Sequence, residues 1–107
     1  MAINISDSFH AAALIGHTVP GTPDFAGQQG FREPIVDNGP GDFTLELDRG
    51  VDTLAAVITA TCQTSGLPAV VTTAHIDDTH IRVRTWDMAG VALDDAAVAI
   101  TVHRYAL

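Results

Sequence analysis

Two histidines flank a pair of aspartates in the segment His75-Ile76-Asp77-Asp78-Thr79-His80. The stretches on either side are rich in Val and Thr, which predicts a hairpin with Asp77 and Asp78 as a two-residue loop. In that pairing His75 lies directly across from His80, with their Cβ atoms about 5 Å apart. Imidazole nitrogens and carboxylate oxygens bind transition metals, so His75 and His80 are candidate metal ligands.

A metal site at this hairpin needs more ligands than the segment supplies. The chain positions no third strong ligand nearby, so the fold or another subunit would have to bring in His10, His17 or His103. The alternative is a hairpin tip whose polar side chains are solvated. On balance the sequence predicts neither a bound metal nor any other cofactor.

The strand after this hairpin combines cations with an indole. His80, Arg82, Arg84 and Trp86 occupy alternate positions and therefore share one face. Aromatic rings and guanidinium groups contact sugars and anionic glycans, so Arg82, Arg84, Trp86 and Tyr105 are candidate receptor contacts. The alternative is a solvated strand face, or one buried between subunits with the arginines paired to carboxylates.

Other catalytic patterns are absent from the sequence. There is no Gly-x-Ser-x-Gly elbow, and Cys62 lies within a predicted strand, where a small buried side chain is the ordinary interpretation. No phosphate-binding glycine motif is followed by Lys and Ser or Thr. The acidic pairs fall in predicted turns, where solvated carboxylates are common. We therefore expect a protein that is not an enzyme.

Length and charge restrict the classes of protein further. The chain has 107 residues, 13 acidic side chains and five basic ones, all arginine, for a net charge of −8. This balance argues against nucleic-acid binding, which depends on clustered Lys and Arg. No apolar run approaches the roughly 20 residues of a membrane span, and the N-terminus lacks the pattern of a signal peptide. We expect no membrane association and no secretory export.

Alternation of apolar and polar residues begins at Asp42 and is typical of half-buried strands. Ser8 to Ile15 is the only helix candidate, and Leu14 to Val19 fits an early strand equally well. Repeated strands with turns between them predict an all-β fold, a small antiparallel β-sandwich that is jelly-roll-like. The predicted strands cover Phe43 to Leu47, Leu54 to Gln63, Ala69 to Ile76, Thr79 to Thr85 and Ala97 to Tyr105.

The first part of the chain has a different composition. Four of the five prolines and seven of the nine glycines precede Val51. These turn signals predict an extended N-terminal arm over residues 1–38, followed by the sandwich over residues 39–107. Within the arm, Ala2, Ile3, Asn4 and Ile5 alternate in polarity and could add a strand to the open sheet edge of a neighbouring subunit.

The C-terminal two-thirds resembles the small β-sandwich domains of tailed-bacteriophage tail-fibre, head-fibre and head-spike proteins. Four segments carry the resemblance: the strand Gly41-Asp42-Phe43-Thr44-Leu45-Glu46-Leu47, the strand Leu54 to Cys62, the hairpin strand and turn over residues 81–90, and the closing strand Ala97 to Tyr105. The similarity covers about residues 39 to 105 and rests on residue classes, not on invariant residues.

The resemblance implies a structural or host-recognition protein of a virion, assembled in the bacterial cytoplasm and lacking enzymatic chemistry. A short chain with an arm fits the base of a head spike or fibre, or a capsid decoration protein, including one from a phage-derived gene transfer agent. Its partners would be further copies of itself in a symmetric homo-oligomer and capsid, tail or fibre proteins, with cell-surface polysaccharide as a receptor. The alternative is an adhesin-like carbohydrate-binding module.

Overall fold

A computed structural model describes residues 9–19, 21–49, 56–63, 68–93 and 96–104. Within these ranges the chain forms eight strands and no helix, and thus no helix that could cross a membrane. The strands are β1 (Phe9–Val19), β2 (Thr22–Gln29), β3 (Phe31–Gly39), β4 (Asp42–Leu47), β5 (Ala56–Gln63), β6 (Ala69–His75), β7 (His80–Asp87) and β8 (Ala97–Arg104).

The strands form two four-stranded sheets. Sheet A has the order β2-β1-β8-β5 and sheet B the order β3-β4-β7-β6, and all neighbouring strands are antiparallel. The prediction of a small antiparallel β-sandwich is confirmed. The five strands predicted after residue 41 are all present, with ends that differ by at most two residues from the predicted ends.

The core lies between the two sheets, where the alternating apolar residues meet. On β4 and β7 every second side chain is buried, and β8 contributes a third row from sheet A. Full burial of such a side chain contributes about 1.5–3 kcal/mol, so these rows fix which face of each strand points inward. The central residues are Phe43, Leu45, Leu47, Ile81, Val83, Val98, Ile100 and Val102.

Residues 9–39 correct the prediction of an N-terminal arm. They form β1, β2 and β3, and each of these strands is hydrogen-bonded within a sheet. The Gly and Pro signals mark hairpin turns, at Gly21 and at residues 39–41, where glycines have positive φ. The sequences of β2 and β3 show no alternation of apolar and polar residues, because both strands lie at sheet edges and most of their side chains are exposed. Register shifts interrupt their pairing as well. The helix candidate at Ser8 to Ile15 is also wrong, because Phe9–Val19 is β1.

A tight contact closes one end of sheet B. Gly41 has φ of 62°, and a Cβ built there would lie 2.8 Å from the Thr85 carbonyl oxygen and 2.9 Å from that of Leu93. The Thr85 amide donates to the Gly41 carbonyl, and the buried Thr85 hydroxyl donates to the Leu93 carbonyl. The turn before β4 therefore packs directly on the backbone that follows β7.

Candidate functional site

The hairpin between β6 and β7 differs from the predicted one. His75 pairs with Ile81, and the Ile76 amide donates to the His80 carbonyl, so the loop holds three residues, Asp77 to Thr79. One extra loop residue shifts the pairing, and adjacent positions on a strand point to opposite faces. His80 is therefore not across from His75, and the facing pair that made these two histidines candidate metal ligands is not present.

Asp77 explains why the loop is longer. Its Oδ1 accepts hydrogen bonds from the backbone amides of Thr79 and His80, each at 2.9 Å, and lies 2.8 Å from His80 Nδ1. The Thr79 amide, followed by the His80 side chain, lowers the pKa of Asp77 from 3.8 to about 2. The other imidazole nitrogen of His80 lies 3.2 Å from Glu46 Oε2. Both nitrogens of His80 are thus engaged by carboxylates.

The outward side of sheet B, which we call the polar face, contains two of the predicted arginines. Arg82 Nε donates to Asp42 Oδ1 at 2.9 Å, and its Nη2 donates to Oδ2 of the same carboxylate. The hydrogen bonds from Arg82 lower the pKa of Asp42, with a smaller contribution from Asn38. Since a bidentate pair occupies the guanidinium, Arg82 is largely committed to Asp42.

Arg84 and Trp86 lie on the same face but differ in their contacts. Arg84 Nε is 3.7 Å from Asp42 Oδ2, and two-fifths of its side chain is exposed. Trp86 is half-buried and its indole nitrogen donates to Thr72 Oγ1 at 3.3 Å. A groove of about 340 Å³ runs beside these residues, lined by Thr72, Ala74, Ile76, Arg82 and Arg84 among others. Of the two arginines, Arg84 makes the longer contact with Asp42, so its guanidinium is the less committed one.

Several other predicted residues receive different outcomes. Tyr105 and the segment Ala2 to Ile5 lie outside the described residues. Cys62 is half-buried on β5, and burial raises the pKa of its thiol, which keeps it protonated at neutral pH. This position agrees with a packing role for the cysteine.

The outward side of sheet A has a different character from the polar face. We call the outward residues of β1, β8 and β5 the uncharged face, because those with described side chains include no Asp, Glu or Arg. Leu14 and Val57 are each more than half exposed there. Asp24 on β2 borders this face, opposite Gly16. The outward residues with described side chains are His10, Ala12, Leu14, Gly16, Val57, Thr59, Thr61, Ala97, Ala99, Thr101 and His103.

The centre of the uncharged face is a shallow depression of about 450 Å³. Small side chains on neighbouring strands form its floor: Thr59, Thr101 and Ala12 lie in one cross-strand row, with Ala99 in the next. Leu14 lines the depression as well. A face of this shape allows another surface to approach the sheet closely.

The sequence did not identify Asp42, Asn38 and Glu46 as part of the polar face. Asp42 pairs in register with Arg84, but the two are about forty positions apart, and no local pattern indicates that β4 lies beside β7. The sequence contains one indication: two arginines lie close together on β7 in an acidic chain, so pairing of these arginines with carboxylates is expected.

Among the described residues, no group of three or more His, Cys, Asp or Glu side chains is arranged to hold a metal ion. Compared with known proteins, the chain matches no family model, no curated protein and no solved structure. The two outer faces of the sandwich are the candidate functional surfaces of the described chain.

Proposed function

We propose that this chain is a non-enzymatic virion structural protein, a head-spike or fibre base or decoration subunit that attaches to a capsid or tail and supports host-surface recognition. One observation carries the proposal: the two outer faces of the sandwich are unlike. On the polar face His80, Arg82 and Arg84 are paired with carboxylates of the chain, whereas the uncharged face has no Asp, Glu or Arg in the set defined above.

The uncharged face has the properties of a surface that other subunits cover. The chain has 13 acidic side chains and a net charge of −8, yet β1, β8 and β5 contain no Asp or Glu, and these three neighbouring strands therefore form a continuous face without carboxylates. Three strands about 4.8 Å apart and about eight residues long give roughly 380 Å² in projection, before side-chain relief is counted. A standard interface buries about 800 Å² per partner, so in projection the face supplies about half of the area that a second copy would cover, and the strand ends around it would supply the rest.

The virion assignment adds the sequence resemblance to this surface argument. Four segments resemble phage fibre and spike domains: Gly41 to Leu47, Leu54 to Cys62, residues 81–90 and the closing strand. The strands β4, β5, β7 and β8 overlap them. Repeated subunits of a spike or decoration protein need one face for assembly and another toward solvent. The unlike faces of this sandwich satisfy that requirement.

A second candidate is an adhesin-like carbohydrate-binding module. The observation that favours it is the groove on the polar face, where Arg84 is partly exposed next to Thr72 and near the indole of Trp86. A guanidinium beside hydroxyl and aromatic groups suits a sugar that carries a carboxylate or sulfate.

The proposed function is tested by analysing particles released from cells that carry the gene. After purification on a density gradient, the chain is quantified by mass spectrometry against the major capsid protein, and gold labelling locates it on the particles. We expect a fixed ratio to capsid protein and label at the head or tail. Recovery of the chain only in the particle-free cell fraction would contradict the proposal.

A truncated chain tests the attachment role of the N-terminal segment. Because residues 9–30 form β1 and β2, only residues 2–8 can be removed without deleting a strand of sheet A. We expect the shortened chain to fold and to lose incorporation into particles. Incorporation at the full-length ratio would exclude residues 2–8 as the attachment segment.

The carbohydrate candidate has its own test, on an array of neutral, uronate-containing, sialylated and sulfated glycans. Binding of acidic glycans that Arg84→Ala abolishes, and that Arg49→Ala retains, would favour it. Silence across the array would remove it without affecting the virion proposal.

A further inference from the structure

His10 and His103 lie side by side on the uncharged face. They are cross-strand partners in the pairing of β1 with β8, and their ring centres are 5.4 Å apart with the planes tilted by 53°. His10 is exposed and His103 is half-buried. Val57 follows in the same row, on the other side of His103.

This spacing suits two ligands of one tetrahedral metal ion. A Zn–N bond is about 2.0–2.1 Å and an imidazole centre lies about 1.1 Å behind its nitrogen, so each ring centre is about 3.2 Å from the metal. At the tetrahedral angle the two centres are then about 5.2 Å apart. Neighbouring ligands of a square-planar ion would be about 4.5 Å apart. The observed 5.4 Å matches the tetrahedral case.

The other three histidines are placed differently. His80 has Asp77 and Glu46 at its two ring nitrogens. The Nδ1 of His17 is buried, and His75 pairs with the apolar Ile81. Among the five histidines, all of which are described, His10 and His103 are the two whose rings are in contact.

We propose that His10 and His103 bind one Zn²⁺ ion and supply two of its four tetrahedral ligands. Zn²⁺ accepts imidazole nitrogen readily, and sites with fewer than four protein ligands keep positions for water or another donor. A metal held here would cross-link β1 to β8, the two central strands of sheet A. The proposal does not depend on the virion function.

Titration of the metal-free full chain with ZnSO₄ tests the site, followed by the long-range ¹H–¹⁵N spectrum of the imidazoles. We expect the His10 and His103 resonances to change together, while those of His75 and His80 stay in place. Resonance changes confined to other histidines, or none up to a millimolar excess of Zn²⁺, would overturn the proposal. The wild-type spectrum alone decides this, so the result does not depend on whether a variant folds.

Calorimetry of variants gives a second test. His10→Gln and His103→Gln should each weaken Zn²⁺ binding by at least about tenfold. Loss of a group that only orients a metal ligand already lowers metal affinity by about 10–100-fold, and loss of a ligand itself should cost at least as much. His75→Gln is the matched control and should bind as the wild type does. Unchanged binding in both ligand variants would refute the site. Co²⁺ gives a further readout, because tetrahedral coordination produces intense visible absorption that an octahedral aqua ion lacks.

Discussion

Gly41 is the position at which a single methyl group should damage the sandwich most clearly. Its φ of 62° is in the left-handed region, and an added Cβ would lie 2.8–3.0 Å from three backbone atoms, the Thr85 carbonyl oxygen and the amide nitrogen and carbonyl oxygen of Leu93. Backbone atoms cannot move aside as a flexible side chain does. The substitution Gly41→Ala therefore forces the turn before β4 away from the end of β7.

Two contributions set the size of the effect. A non-glycine residue in the left-handed region costs about 1–2 kcal/mol. Overpacking a tight site costs about 1–3 kcal/mol more. The free energy of unfolding should thus fall by about 2–5 kcal/mol in Gly41→Ala. For a domain of about 100 residues each kcal/mol lowers the melting temperature by roughly 4–8 °C, so we expect a decrease of at least about 8 °C.

Gly90 supplies the matched control. Its φ is 81°, but an added Cβ there meets no atom within 4 Å, so Gly90→Ala carries the conformational cost alone. Urea unfolding followed by tryptophan fluorescence, with the circular dichroism melting curve as a second probe, measures both variants. Equal destabilisation of Gly41→Ala and Gly90→Ala would refute the close contact between the turn and the Leu93 segment.

Two further predictions concern named hydrogen bonds. Thr85→Val removes the hydroxyl that donates to the Leu93 carbonyl and keeps a side chain of similar volume. Because that carbonyl is left without its donor, the free energy of unfolding in urea should fall by about 1–3 kcal/mol. An unchanged unfolding midpoint would contradict this prediction. The pKa of Asp77 is lowered to about 2 from 3.8, so the stability that this carboxylate contributes is present above pH 3.8 and is lost as the pH falls through about 2. Asp77→Asn should therefore be less stable than the wild type at pH 5, with the difference shrinking toward pH 2; a difference that does not change with pH would exclude the charged loop contact.

The sandwich could be predicted because burial imposes a simple pattern on its central strands. Phe43, Leu45 and Leu47 alternate with polar residues, and the row Val98, Ile100 and Val102 does the same on β8. A strand covered on one side must show this period. Residues 22–39 show no such period, because edge strands with register shifts bury few side chains. Their turn residues were identified, yet the strands between the turns were not.

The polar face could be predicted only in part. Alternation on β7 placed Arg82, Arg84 and Trp86 together, and the structure agrees. Hairpin length decided the rest: one side-chain acceptor on Asp77 lengthens the loop and separates His75 from His80. The adjacency of His10 and His103 depends on the first and last strands pairing across the whole chain, which no local pattern specifies.

The central claim is that the uncharged face joins copies of the chain, and Val57 and Val36 allow a direct test. Val57 is 57% exposed on that face, while Val36 is 55% exposed on β3 of the opposite sheet. Aspartate at either position adds the same charge at the same exposure. In a pair of copies, association would cover the exposed part of Val57 on each copy. Replacing both valines therefore removes about 2 kcal/mol of binding free energy, which weakens association by about 30-fold. Burial of the introduced carboxylate would weaken it further.

Sedimentation equilibrium of the full chain over a hundredfold range of concentration is the measurement that decides the claim. We expect the wild type and Val36→Asp to form the same discrete oligomer, and Val57→Asp to sediment at the monomer mass of 11.2 kDa plus the small increment of the substitution. A wild-type chain that stays monomeric throughout, or a Val57→Asp variant that assembles as the wild type does, would contradict it.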